Sequence, residues 1–322
     1  MITEAENVFA RLPIRDIVSW NALLFAYVED GWPHKALRLF RQLKEEGVAP
    51  DDRTFVSSLL ACIMLVENDE HSDFSAQSTK LIAVEVGRAL HFESRITGFD
   101  TNLYVCHTLV NLYSSCGTIA EAENAFIRLR EYSVVSWTVM CQAYLKQDEG
   151  VKTLQLYKEM QDEGVAPNDR AFTVALQACC SLAEKEATEG QPDKAMLHMI
   201  GKALHADAQR TGVDLDAFVS SALVTMYDKC GGLEEASNTF SELSKDHVAP
   251  WNAMLSACIE RDEGHKVLEL YGQMQERGIE VTDTTLLYAL QACSKAGSLE
   301  ICREIHYTLV AAGLESKMSL VN

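Results

Sequence analysis

The feature that most constrains this chain is its similarity to itself. Shifted by 117 residues, the sequence lays Val18, Ser19 and Trp20 on Val135, Ser136 and Trp137, and the run GVAP at 47–50 on GVAP at 164–167. A further shift of 114 puts Trp137 on Trp251, Leu156 and Tyr157 on Leu270 and Tyr271, and Gly164 on Gly278. Repetition at fixed spacing marks an array of units that bury apolar faces against one another, so the 322 residues are not to be divided into globular domains by length alone. Glu4, Ala5, Glu6, Asn7, Phe9, Arg11 and Leu12 coincide with Glu121, Ala122, Glu123, Asn124, Phe126, Arg128 and Leu129, which starts the chain inside a unit.

Each unit divides into helical hairpins. Trp20, Leu23, Leu24 and Tyr27 form one apolar stripe at helical spacing, Gly31 marks a turn, and Pro33 suits the first position of a second helix. Ala36, Leu37, Phe40 and Leu43 line that helix, and Gly47 followed by Pro50 stops it. Six prolines and seventeen glycines punctuate a chain that is 48% hydrophobic, which favours helices over closely spaced strands. The expected fold is all-α, a right-handed solenoid of stacked helix-turn-helix repeats. Its divisions are 1–16, 17–51, 52–102, 103–133, 134–168, 169–216, 217–247, 248–282, 283–317 and 318–322. The 52–102 and 169–216 hairpins carry polar, acidic insertions around 67–79 and 184–193, read as solvated loops or helix extensions.

Composition narrows the function classes. No apolar run approaches the roughly 18 residues of a membrane span, and the first residues show neither a secretory signal nor a transit peptide, so the chain reads as soluble. The ten cysteines have no paired metal-ligand spacing. Cys62, Cys179 and Cys293 are repeat equivalents, as are Cys116 and Cys230, which suits buried free thiols in a reducing compartment. His91, His205 and His306 share one repeat slot and read as packed or capping residues; Trp20, Trp137 and Trp251 read as core anchors. A formal charge of −19 works against indiscriminate binding of polyanions, so such a partner needs a local patch. The basic residues Lys35, Arg38, Arg41 and Lys44 fall on a second helix, and no basic stripe is expected along the first helices.

Repeats of 35, 35 and 31 residues, with VSWNALL from Val18, GKALH from Gly201, ALVTMYDKCGGLEEA from Ala222 and LQACSKAGSLE from Leu290, resemble the pentatricopeptide-repeat proteins of the plant PLS subclass across nearly the whole chain. The resemblance makes 17–51, 134–168 and 248–282 P repeats, each followed by an L repeat, with S repeats at 103–133 and 217–247 and partial ones at both ends. It implies a fragment of a longer array without the C-terminal extension and deaminase domains of the subclass.

It further implies a single-stranded RNA partner, editing-complex proteins as further partners, a mitochondrial or plastid location, and site recognition in C-to-U editing. One residue near the start of each first helix and the last residue of the repeat would read one base, with a residue three positions earlier stacking on it. Those pairs are Asn21 with Asp51, His107 with Ser133, Thr138 with Asn168, Ser221 with His247, and Asn252 with Thr282. The stacking positions are Val18, Tyr104, Val135, Phe218 and Ala249. By the family's pairing code Asn with Asp favours U, Thr with Asn favours A and Asn with Thr a pyrimidine, while the two S pairs fit the code poorly. The L-repeat equivalents Val56, Thr173 and Leu287 contribute little specificity. No H-x-E with C-x-x-C deaminase signature occurs, so no enzyme activity, cofactor, metal or small-molecule substrate is expected. A protein-scaffolding solenoid that holds peptides along the same face is the rival reading.

Overall fold

In the computed structural model residues 2–68, 76–116, 118–185, 193–243, 246–296 and 303 are described. Every regular element among them is helical. His306, the second helix expected within 283–317 and the last partial repeat lie outside the described residues, as do 69–75 and 186–192 of the two insertions. Two compact units cover 1–165 and 166–322.

The first unit contains α1 (Ile2–Arg11), α2 (Ile17–Glu29), α3 (Pro33–Glu45), α4 (Asp52–Asn68), α5 (Ala76–Thr97), α6 (Leu103–Cys116), α7 (Ile119–Ile127), α8 (Val134–Lys146) and α9 (Gly150–Asp162). Consecutive pairs form hairpins. The first helices α2, α4, α6 and α8 pack side by side, and each second helix also leans on the first helix that follows it. The second unit repeats the plan with α10 (Asp169–Glu184), α11 (Lys194–Thr211), α12 (Ala217–Cys230), α13 (Leu233–Glu242), α14 (Val248–Glu260), α15 (Gly264–Glu276) and α16 (Asp283–Ala296). The first insertion lengthens both helices of its hairpin, α4 reaching Asn68 and α5 starting at Ala76.

An aromatic pair joins hairpin to hairpin. Phe9 meets Trp20 edge-on at 4.8 Å between ring centroids, Phe126 meets Trp137 at 5.4 Å, and Phe240 meets Trp251 at 4.9 Å. In each case a second helix supplies the phenylalanine and the next first helix the tryptophan. Trp20 and Trp251 are fully buried, so the pair combines large area burial with a favourable quadrupole geometry.

The turns use local chemistry suited to their backbone. The stop after α3, α9 and α15 is a glycine in the left-handed region, Gly47, Gly164 and Gly278, with φ between 68° and 77°. Behind it a long backbone bond runs from Val48 N to Leu43 O, Val165 N to Met160 O and Ile279 N to Met274 O, which satisfies a terminal carbonyl. Gly31 holds φ 76° in the tight turn after α2, and the equivalent turns carry Asp148 and Asp262 at φ 62° and 63°, a residue type that tolerates this region.

The shared histidine slot is a packing device. His91 Nδ1 lies 2.9 Å from the Tyr113 hydroxyl, and His205 Nδ1 lies 3.0 Å from that of Tyr227. Burial holds both imidazoles below their ordinary pKa, so the folded chain binds fewer protons there than the unfolded chain once the pH drops below about 6.5. Among the described residues nine cysteines are free thiols, and burial pushes Cys62, Cys141 and Cys179 up to about 12. Among the described residues no helix is long and apolar enough to cross a membrane, and no group of side chains is arranged to hold a metal.

Two outcomes are expected. Trp20→Ala or Trp251→Ala lowers the unfolding free energy by about 3–5 kcal/mol in denaturant titrations, the range for deleting a buried aromatic side chain. Stability falls as the pH is lowered from 7 to 5.5, because the histidine contribution is present above the unfolded pKa and is lost towards the folded one. The double variant His91→Gln, His205→Gln shows a shallower fall in the same titrations.

Candidate nucleic-acid interface

The first helices carry large apolar side chains in their N-terminal turns that packing leaves exposed. Val18, Tyr104, Val135 and Phe218 are exposed by 66%, 70%, 48% and 69%, values unusual for large apolar residues in otherwise buried helices. Ala249 is half-buried in the corresponding turn of α14.

Asn21 and Asp51 are brought together. Asn21 Nδ2 donates to Asp51 Oδ1 at 2.9 Å and lies 3.0 Å from Oδ2, while Asn21 Oδ1 accepts the Thr54 hydroxyl at 2.7 Å. Burial alone would raise the Asp51 carboxyl, but bonds from Thr54 N–H, the Asn21 amide and the Thr54 hydroxyl, with the charge of Arg53, hold it below the ordinary carboxylate value. Asp51 is therefore ionised at neutral pH. Its side chain also caps α4 through Thr54 N, so the same group starts a helix and orients the amide.

A cavity of about 670 Å³ opens onto this pair. Val18 and Tyr104 line it from α2 and α6, and Arg53 and Val56 enter from α4. Three successive hairpins thus contribute side chains of different kinds: an apolar or aromatic surface, an amide–carboxylate pair and a guanidinium.

Asn252 and Thr282 repeat the contact with weaker geometry. Asn252 Nδ2 donates to Thr282 Oγ1 at 3.2 Å, and Asn252 Oδ1 accepts the Thr285 hydroxyl at 2.7 Å. His107 and Ser133 are linked through a third residue, since Ser136 Oγ lies 2.9 Å from His107 Nε2 and 3.0 Å from Ser133 Oγ. Burial lowers the His107 pKa, so its ring is neutral at pH 7 and offers one donor and one acceptor.

The remaining pairs are arranged differently. Thr138 donates its hydroxyl to Val134 O at 2.7 Å, which leaves only lone pairs outward. Asn168 belongs to the second unit, where its side chain accepts from Ala171 N and caps α10. Ser221 is half-buried on α12, and His247 is exposed at the start of α14. His247 makes no side-chain cap bond, and Pro250 at the third helical position has no N–H to donate one. Among the described residues no hydrogen bond joins Ser221 to His247.

Two features were missed in the sequence. Arg53, and Arg170 in the same slot of the second unit, are exposed and make no ion pair among the described residues, whereas Arg41, Lys44 and Arg88 on second helices are neutralised by Glu45, Glu93 and Glu121. Arg53 places one unpaired cation beside the Asn21–Asp51 pair, an isolated residue and not a basic stripe. The other feature is a hydroxyl behind three of the readers, Thr54 behind Asn21, Ser136 behind His107 and Thr285 behind Asn252. Arg53 and Arg170 align in the repeat, whereas Thr54 aligns with Ala171, so the hydroxyl leaves no consistent periodic signal.

Comparison with known proteins extends the internal repeat outward. The PPR repeat family model matches residues 15–63 and 132–181, and the PPR repeat model matches 249–279. A pentatricopeptide repeat-containing protein of Arabidopsis thaliana is 30% identical over 299 residues, covering 93% of this chain and 37% of the relative. Another is 28% identical over 316 residues, 98% of this chain and 42% of the relative. A third from the same plant, designated chloroplastic, is 27% identical over 317 residues, 98% of this chain and 36% of the relative. The chain thus spans well under half the length of these curated relatives. Among solved structures, the crystal structure of the maize pentatricopeptide repeat protein PPR10 is 15% identical with a TM-score of 0.48, covering 97% of this chain and 51% of that one. With matching models in all three copies of the repeat and relatives that align along nearly its full length, the chain belongs to the pentatricopeptide-repeat family.

Proposed function

We propose that the chain is a single-stranded RNA-binding repeat module that selects sites for organellar RNA processing, with C-to-U editing as the reaction it directs and the chemistry supplied by another domain or protein. The observation that carries this reading is the cavity in the first unit, where an ionised amide–carboxylate pair sits between exposed Val18 and Tyr104 beside Arg53. A flat base can enter between those two surfaces and meet hydrogen-bonding groups at its edge, which is how single strands are read when their bases are unstacked.

The family supports the partner class, and relatives designated mitochondrial and chloroplastic support an organellar setting. The residue assignments follow the family pattern: Asn21 with Asp51 for U, Thr138 with Asn168 for A, and Asn252 with Thr282 for a pyrimidine. Arg53 lines the cavity as a cation for a phosphate, and Arg170 holds the same repeat slot in a chain of net charge −19.

Titration of the chain with single-stranded RNA at two salt concentrations tests this. Affinity is expected to fall as salt rises, and Arg53→Gln reduces the dependence of log affinity on log salt by about one. No binding at low salt overturns the RNA reading in favour of a peptide scaffold. The exchange Thr138→Asn with Asn168→Asp moves the preference from A towards U at a single position of the bound sequence, measured by selection from a randomised pool. An unchanged preference refutes the residue assignments.

A further inference from the structure

The first helical turn of each following hairpin contains a position that the reading pairs do not include. It is Thr54 behind Asn21, Val105 behind Val56, Ser136 behind His107, Val219 behind Thr173, Pro250 behind Ser221 and Thr285 behind Asn252. A hydroxyl stands there behind both asparagines and the histidine, the readers whose polar groups carry two distinct hydrogen-bonding atoms. It is absent behind Val56, Thr173 and Ser221. In all three hydroxyl cases the oxygen lies within hydrogen-bond distance of the reader, at 2.7 Å for Thr54 and Thr285 and 2.9 Å for Ser136. Thr54 and Thr285 are fully buried and Ser136 nearly so.

An asparagine amide turned by 180° exchanges a donor for an acceptor at almost no steric cost, so a reader of this kind is only as selective as its orientation is fixed. At Asn21 the Asp51 carboxylate, an acceptor only, holds Nδ2, and the Thr54 hydroxyl lies 2.7 Å from Asn21 Oδ1 and 2.8 Å from Asp51 Oδ1, so its single proton is shared between the two acceptors. The reversed amide would place its oxygen against that carboxylate. One N–H and one lone pair of the amide then remain side by side for a base edge. At Asn252 the last residue is Thr282, whose hydroxyl gives or takes a proton, and it also lies 2.9 Å from the Thr285 hydroxyl. The orientation there depends on the chain of two hydroxyls.

We infer that Thr54, Ser136 and Thr285 are positioning residues for base selection, each a hydroxyl from the following hairpin that fixes the hydrogen-bonding polarity of the preceding reader. The inference rests on the RNA reading proposed above. It makes recognition by each such repeat depend on its neighbour, because the reader is incomplete until the next hairpin has docked.

The chain and its variants are each incubated with a randomised single-stranded RNA pool, and the bound RNA is sequenced. Thr54→Val keeps the shape of the side chain and removes the hydroxyl. The ratio of preferred to next-best base is expected to fall about fivefold at one position of the selected motif, with the other positions unchanged, as for one lost hydrogen bond. Thr54→Ser retains the wild-type ratio, and Thr285→Val flattens a different position. A purely structural role would weaken all positions together and leave their ratios intact. If Thr54→Val does not fold, Ser136→Ala, which deletes a single oxygen, carries the same expectation at the His107 position. A wild-type motif that persists with unchanged ratios in these variants overturns the inference and leaves the RNA reading standing. A wild-type chain that enriches no motif overturns both.

Discussion

The edge-on contact between a phenylalanine of one hairpin and a tryptophan of the next, at Phe9–Trp20, Phe126–Trp137 and Phe240–Trp251, is the interaction on which the rest of each unit depends. A two-helix hairpin of about 35 residues cannot bury enough apolar surface to be stable alone. Its second helix must cover the first helix of its successor, and the aromatic pair sits at that joint. Once it is made, the neighbouring first helices lie side by side and their N-terminal turns come out on one face.

That placement has a chemical consequence. The last residue of one hairpin is also the cap of the next first helix, as Asp51 is for α4 and Ser133 for α8. Capping demands a short polar side chain with an extended backbone, and it leaves part of the side chain free to turn back to the preceding helix. The same joint that satisfies orphan backbone donors therefore assembles the polar groups of the candidate site. Function and folding draw on the same few atoms there, which is why the polar cluster around Asn21 is well bonded yet open to a cavity.

Much of this was legible in residue spacing. The repeat of Trp20, Trp137 and Trp251 identified the core anchors because burial of an aromatic at a fixed slot leaves a periodic trace, and Gly47 with Pro50 marked a helix stop because few other residues accept that geometry. The contacts of Thr54, Ser136 and Thr285 left no comparable trace. Their partners lie about 30 residues upstream, and a hydroxyl in a first turn reads equally well as a capping residue. Arg53 was overlooked for a related reason. Net charge gives only the difference between cations and anions, whereas pairing with Glu45, Glu93 and Glu121 decides which cations are neutralised.

By itself, the sequence determined the helical hairpins, their order and their tryptophan anchors, since apolar spacing, glycine stops and proline starts act within one or two turns of chain. Tertiary structure alone decided that Asn21 and Asp51 bond directly, that His107 reaches Ser133 through Ser136, and that Thr138 turns its hydroxyl onto its own helix. Hydrogen bonds depend on ångström-scale distances and on the direction of a single proton. Those are set only when neighbouring hairpins have packed, and no periodicity in the residues records them.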